Sequence, residues 1–220
     1  THDTPVLLSE EAALRIFVEA NAEESAQFIK EAWKHINLAR ETLIAPDPEF
    51  AEAARRFSRQ KSVWNLADYT DLLEFWLEQI RQGLFSLPWD QVLVDEVQDL
   101  SPLQLTLVRS LVPAGGAGFF GIGDPDQSIY GFRGAHGDSL GFFKEAWPEL
   151  RVISLQVNYR SASGVVEIAR ALLGGHAKTG AMAVAGGAAA AVHLFEAPTE
   201  EVEQRKLAER VAALIGLGGH

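Results

Sequence analysis

The 220-residue sequence contains no cysteine. Disulfides, thiolate metal sites and cysteine nucleophiles are therefore excluded, and the expected setting is a reducing one, the cytoplasm. Methionine occurs once, as Met182, and the chain opens on Thr1, as a processed protein or an excised piece would. Basic side chains are in deficit: 19 Lys and Arg face 30 Asp and Glu, a net charge of −11. Overall charge thus gives no argument for nucleic-acid binding, which favours a basic excess or patch. No run reaches the roughly 18 apolar residues that a membrane-spanning helix needs. The Ala/Gly stretch 181–192 is too short and too weakly apolar, and no signal-peptide pattern is present. Six histidines, at positions 2, 35, 136, 176, 193 and 220, lack the paired spacing of a zinc site.

What is present is ordinary globular material, 47% hydrophobic and 22% charged, enough for one large or two small domains. The first eighty residues read as helical. Ser9 precedes Glu10-Glu11, with Leu14, Phe17 and Val18 on one face; acids in a first turn suit the helix dipole. Asn21 with Glu24 has the spacing of a capping box and predicts the start of a second helix carrying Ile29, Trp33 and Ile36. Asp47-Pro48 predicts a third start, and residues 66–82 a fourth helix with Leu72, Leu73, Trp76, Leu77 and Ile80 turned inward. Gly83 and Pro88 end the helical region.

From Gln91 the pattern alternates strand and helix, which argues for a parallel α/β sheet. Val92-Leu93-Val94 is a strand ending in Asp95-Glu96 and Gln98-Asp99. Ser101-Pro102-Leu103-Gln104 then supplies an N-cap, a first-turn proline and a capping-box glutamine for a helix reaching about Val112. A second strand, Phe119-Phe120-Gly121-Ile122, ends in Gly123-Asp124-Pro125-Asp126-Gln127. A short helix over residues 139–147, a third strand over 151–155 and a helix capped by Ser161 follow. The Gly/Ala-rich residues 174–190 read as a loop, before a last strand at 191–195 and a helix at 199–215. Carboxylates beyond the carboxyl ends of parallel strands stand where ligands bind, and one or two of them suffice for magnesium beside phosphate oxygens. Either acidic cluster alone also reads as a solvated turn.

Three clusters in order, VDEVQD, GDPDQSIYGFRGA and LQVNYRS, resemble motifs of the UvrD/Rep-type superfamily 1 DNA helicases. VDEVQD is similar to their Walker B motif, GDPDQSIYGFRGA to motif III and NYRS to motif IV. Residues 67–73, ADYTDLL, are similar to the helix that precedes the Walker B motif, and the likeness runs clearly over about residues 66–173. The resemblance implies ATP and Mg2+ as cofactors, and single-stranded or partly duplex DNA, with 3′ to 5′ movement, as partner. It implies that Asp95 and Glu96 serve the metal, with Glu96 orienting or deprotonating the attacking water. Gln127 would sense the γ-phosphate, Arg160 would act as an arginine finger and Tyr159 would stack on adenine. Tyr130, Phe132 and Arg133 would contact DNA. Gln98, Asp99, Asp124, Asp126 and Asn158 would support the motifs. Tyr130 and Phe132 also read as packing beneath a loop, and Tyr159-Arg160 as a helix start with a surface arginine.

The expected fold is α/β: a partial RecA-like parallel sheet of the P-loop NTPase type behind an all-helical N-terminal subdomain. The expected divisions are residues 1–62 (inserted helical subdomain), 63–157 (C-terminal half of the first motor domain) and 158–220 (start of the second). Phe132 stands where the family usually has tryptophan. No G-x-x-x-x-G-K-S/T phosphate loop occurs, since residues 174–179, GGHAKT, lack that order. The later family motifs are absent as well. The expectation is an internal piece of a helicase, inactive alone, whose partners include the remaining parts of the same polypeptide and no membrane. Two other readings stay open: a non-catalytic interaction module derived from such a helicase, and a magnesium-dependent nuclease or phosphatase using Asp95, Glu96, Asp99, Asp124 and Asp126.

Overall fold

A computed structural model describes residues 4–131, 134–174, 183–184 and 195–216. The chain divides into two compact units, Thr1–Ser154 and Leu155–His220.

The first unit begins with a strand and three helices. Strand β1 (Val6–Leu7) leads to α1 (Glu10–Ala20), opened by the Ser9 hydroxyl accepting from the Ala12 amide at 3.2 Å. Helix α2 (Ala26–Thr42) starts at Ser25, whose hydroxyl accepts from Phe28 N. The expected Asn21–Glu24 box is therefore not the start. Asn21 instead closes α1, its amide bonding to Val18 O, and its buried side chain donates to Phe17 O at 2.9 Å. The same Nδ2 also reaches Ala53 O of the third helix at 3.5 Å. A 3-10 turn, Pro48–Phe50, opens on Asp47 as expected and runs into α3 (Ala51–Val63). Phe17, Trp33 and Phe57 form an edge-and-tilt aromatic centre with centroids 5.2–5.8 Å apart, geometry that favours ring edges on ring faces. Ala13, Ala32 and Ala53, all buried, let the helices approach it.

Strand β2 (Leu66–Ala67) pairs in parallel with β1, Val6 opposite Leu66. Helix α4 (Tyr69–Arg81) consequently begins three residues later than periodicity alone suggests. Its start carries a capping box between Asp68 and Asp71 that is embedded in charge. Arg40 of α2 donates to Asp68 at 3.0 Å, Asp71 at 2.7 Å and Glu74 at 2.7 Å; Lys61 of α3 donates to Asp68 at 2.6 Å and to Asp71. Burial works against the Arg40 charge, yet the hydrogen bond with Glu74 and the charges of Asp68 and Glu74 outweigh it and raise its pKa. Burial likewise favours a protonated Asp68, but Arg40 and Lys61 prevail and hold its pKa below the usual 3.8.

Strands β3 (Val92–Val94) and β4 (Phe119–Gly121) pair in parallel, joined through α5 (Pro102–Leu111). The expected capping box at Ser101 and Gln104 is present in both directions. Helix α5 packs Leu103, Leu107 and Leu111 against Leu77 of α4, while Leu105 joins Phe119, Phe143 and Trp147 beneath α6 (Ser139–Ala146). The other sheet face leaves Leu93 and Phe120 exposed.

In the second unit, β5 (Val157–Asn158) pairs in parallel with β6 (Ala183–Val184), and α7 (Ser163–Leu173) and α8 (Glu200–Gly216) complete it. The strand expected over 151–155 does not form: those residues lack ladder partners, and pairing occurs two residues further on, where β6 meets the chain. Strand β6 arises inside a stretch that composition reads as loop. Ala162 rather than Ser161 is the cap residue of α7. Of the strand expected at 191–195, residues 191–194 lie outside the described residues and Phe195 has no regular structure. The architecture is thus helix-rich α/β, with three two-stranded parallel sheets among the described residues in place of one continuous sheet. No helix among the described residues is long and apolar enough to cross a membrane.

Removing Arg40 leaves Lys61 as the one cation facing Asp68 and Asp71 and takes the counter-charge from Glu74. Arg40→Ala is expected to lower unfolding free energy by about 3–5 kcal/mol, read by urea denaturation. Because the folded Asp68 pKa is depressed, its contribution is full above the unfolded value and is lost as pH falls through the folded one. Stability is expected to hold between about pH 7 and 5 and to decline below about pH 4, with a shallower acid decline in Asp68→Asn.

Candidate functional site

The parallel register of β3 and β4 sets Val94 opposite Gly121, so the two polar segments leave the sheet at one edge. Two further backbone bonds continue the pairing beyond the strands, Ile122 N to Val94 O at 2.8 Å and Val97 N to Ile122 O at 3.0 Å. Asp95 turns back on its own chain, its Oδ1 accepting from Glu96 N at 2.9 Å. Glu96 occupies the left-handed region, φ 53° and ψ 44°. That conformation costs a non-glycine residue about 1–2 kcal/mol and persists only where surroundings impose it. Asp95, Glu96 and Gln127 are all exposed.

Gln98 imposes it. Only 3% of this residue is accessible. Its Nε2 donates to Glu96 Oε2 at 2.7 Å, while its Oε1 accepts from Asp124 N at 3.0 Å. One carboxamide thus spans the ends of both strands, donor to one and acceptor from the other. Gly123 makes the approach possible, since a Cβ there would stand 2.5 Å from Gln98 Oε1 and 2.7 Å from Val97 Cγ2. Asp124 in turn caps the short turn Pro125–Gln127: its Oδ1 accepts from Asp126 N at 3.0 Å and its Oδ2 from Gln127 Nε2 at 2.7 Å. Ser128 Oγ donates to Gln98 O at 3.2 Å, and His136 N to Leu100 O at 2.9 Å, closing the two segments into one patch.

Asp99 Oδ1 is buried without a hydrogen-bond partner, beside a cavity of about 670 Å³ that Tyr130, Tyr69, Trp33 and Glu41 also line. Among the described residues no three His, Asp or Glu side chains converge as a self-sufficient metal cage. Phe132 and Arg133 lie outside the described residues. Tyr159 and Arg160 are exposed in the second unit, where Asn158 Oδ1 accepts from the amides of Arg160 and Ser161 at 2.9 and 2.8 Å. Sequence reading did not single out Ser128 or Glu41. Nothing local marks them, because their partners lie 30 and 60 residues away.

The family model for the UvrD/REP helicase N-terminal domain matches residues 7–148. This chain belongs to the UvrD/Rep helicase family. Among its relatives, ATP-dependent DNA helicase srs2 of Schizosaccharomyces pombe is 39% identical over 117 residues, 52% of this chain and 13% of srs2. DNA helicase II of Escherichia coli K12 is 37% identical over 114 residues, 49% of this chain and 16% of that protein. ATP-dependent DNA helicase Rep of Buchnera aphidicola subsp. Baizongia pistaciae is 27% identical over 183 residues, 76% of this chain and 27% of Rep. The chain therefore spans well under a third of the length of these helicases. The family match takes in the Gln98 patch and stops before Asn158, Tyr159 and Arg160.

Gln98→Leu keeps the volume but leaves the Asp124 amide and the Glu96 carboxylate without their partner. It is expected to cost about 1–3 kcal/mol and to speed hydrogen exchange at residues 94–99 and 122–128 more than elsewhere.

Proposed function

We propose that this chain is part of the motor of an ATP-dependent DNA helicase, coupling ATP hydrolysis to movement along single-stranded DNA and duplex unwinding. The observation that carries the reading is Glu96, left-handed at a strand end, its carboxylate bonded to a buried glutamine that also accepts from the Asp124 amide. A strained, exposed carboxylate with an imposed position suits a group that must meet a water molecule; a solvated turn needs no such constraint. Family membership and the relatives' names support the same conclusion.

In this reading the β3–β4 pair belongs to a RecA-like motor domain covering residues 63–157. Residues 1–62 are an inserted helical subdomain, and 158–220 begin a second motor domain. The phosphate loop and the rest of that second domain are supplied by other parts of the same polypeptide. Asp95 and Glu96 fit Mg2+ as a partial donor set, one or two carboxylates to be completed by phosphate oxygens. Such an ion would neutralise charge on the phosphates. Glu96 orients the attacking water and accepts its proton. Gln127 senses the γ-phosphate or that water, its amide nitrogen resting on Asp124 in this structure. Tyr159 stacks on the adenine ring, and Arg160 meets the γ-phosphate with a permanently charged, bidentate group. Tyr130 and Phe132 offer ring faces to bases, and Arg133 a charge to phosphate. With a net charge of −11, DNA contact on this chain is local rather than a matter of overall attraction.

A two-metal nuclease is not favoured, since no carboxylate cage is assembled among the described residues. A non-catalytic module gives the Glu96 strain no purpose.

The complete gene product is expected to hydrolyse ATP faster when single-stranded DNA is added. Glu96→Gln is expected to lower kcat about 100-fold or more with nucleotide binding retained. Steady-state hydrolysis with a fluorescent-nucleotide titration measures both, and undiminished turnover in the variant would overturn the role given to Glu96.

A further inference from the structure

Helix α2 belongs to the aromatic core of the helical segment, yet its last turn reaches the site. Glu41 is half-buried there, between the starts of two other helices. Its Oε2 accepts from the Ser101 hydroxyl at 2.6 Å, and its Oε1 from the Thr70 hydroxyl at 3.1 Å. Ser101 is the N-cap of α5 and directly follows the segment that holds Asp95, Glu96 and Gln98. A hydroxyl-to-carboxylate bond of that length is charge-assisted and among the stronger side-chain contacts. An anion beside two helix N-termini also meets the positive ends of both helix dipoles.

The same turn touches the other polar segment. Gly134 is buried with φ +87°, and a Cβ there would lie 3.2 Å from Leu38 Cδ1, 3.4 Å from Glu41 Cβ and 3.5 Å from Thr42 Cγ2. Two residues on, His136 N donates to Leu100 O, next to Ser101. Residues 38–42 therefore press on the far ends of both segments that Gln98 joins at their near ends. Arg40, between them in sequence, fixes this turn to α4 through Asp68, Asp71 and Glu74, so the turn has little freedom to move without its neighbours.

We infer that Glu41 is a positioning residue: through Ser101 it holds residues 96–101, 128–131 and 134–136 in register with α2, so that a displacement of the helical segment reaches Glu96 and the loop carrying Tyr130. The reaction part of this inference rests on the function proposed above. It assigns α2 a task outside the motifs, in conveying movement between the helical segment and the strand ends.

Hydrogen exchange on the 220-residue chain, read by mass spectrometry, tests the link. Glu41→Ala is expected to speed exchange about tenfold or more in residues 96–101 and 128–136, while residues 10–36 exchange as before. Glu41→Gln keeps an acceptor for the Ser101 hydroxyl and is expected to stay within about threefold of the unaltered chain. Unchanged exchange in both segments overturns the inference. So does an equal rise throughout residues 10–36, which means general loosening, or a glutamine variant that behaves like the alanine one. A second measurement, on the complete gene product, is the stimulation of ATP hydrolysis by single-stranded DNA. Glu41→Ala is expected to lower that stimulation about fivefold or more, with the KM for ATP within about twofold. Loosened strand ends with undiminished stimulation overturn the role in the reaction. A gene product that hydrolyses no ATP at all overturns the functional reading beneath it and leaves the exchange result standing.

Discussion

Five charges gathered at the start of α4 hold the first unit in its arrangement. Arg40 and Lys61 come from two helices of the aromatic core, and Asp68, Asp71 and Glu74 from the helix that packs against α5. Desolvating such charges is costly, and an apolar contact of equal volume would stabilise the fold as well or better. What ion pairs add is direction. A bidentate guanidinium accepts few geometries, so Arg40 sets the azimuth of α2 against α4 where alanine and phenylalanine contacts would allow sliding. The capping box of α4 lies inside the cluster, which makes the start of that helix and the docking of α2 one event.

The site depends on this arrangement at one remove. Helix α4 packs on α5, α5 follows the Asp95–Asp99 segment, and the parallel ladder of β3 and β4 sets that segment beside Asp124. Short parallel strands hold their position weakly by themselves. Here Gln98 extends the pairing by side chain where the backbone ladder ends, and Gly123 leaves it room. Strain at Glu96 is offset by bonds made elsewhere in the patch.

An acidic chain in a family of DNA helicases is no contradiction on these terms. Part of the negative charge sits in exposed first turns, such as Glu10 and Glu11 of α1 and Glu200, Glu201 and Glu203 of α8, where it complements the helix dipoles.

Local chemistry was readable in the linear chain. Ser9, Asp47 and the Ser101–Gln104 box announce helix starts because a cap reaches only two or three residues along its own backbone. The motifs around Asp95, Asp124 and Asn158 were readable for the same reason, their order and spacing being properties of the chain itself. Partnerships across space were not. Asn21 has a capping pattern, yet it closes the preceding helix, its buried amide donating to Phe17 O. Residues 151–155 have the apolar character of a strand and form none, since a strand exists only opposite a ladder, and the ladder lies at Val157–Asn158 beside two residues of an Ala/Gly-rich stretch. Gln98 reads as one polar residue in a motif, and only the parallel register turns its two ends toward two strands. Glu41 carries no signal whatever. A hydrogen bond between residues 60 positions apart is decided by how helices dock, and docking is settled by volumes and charges summed over the whole unit.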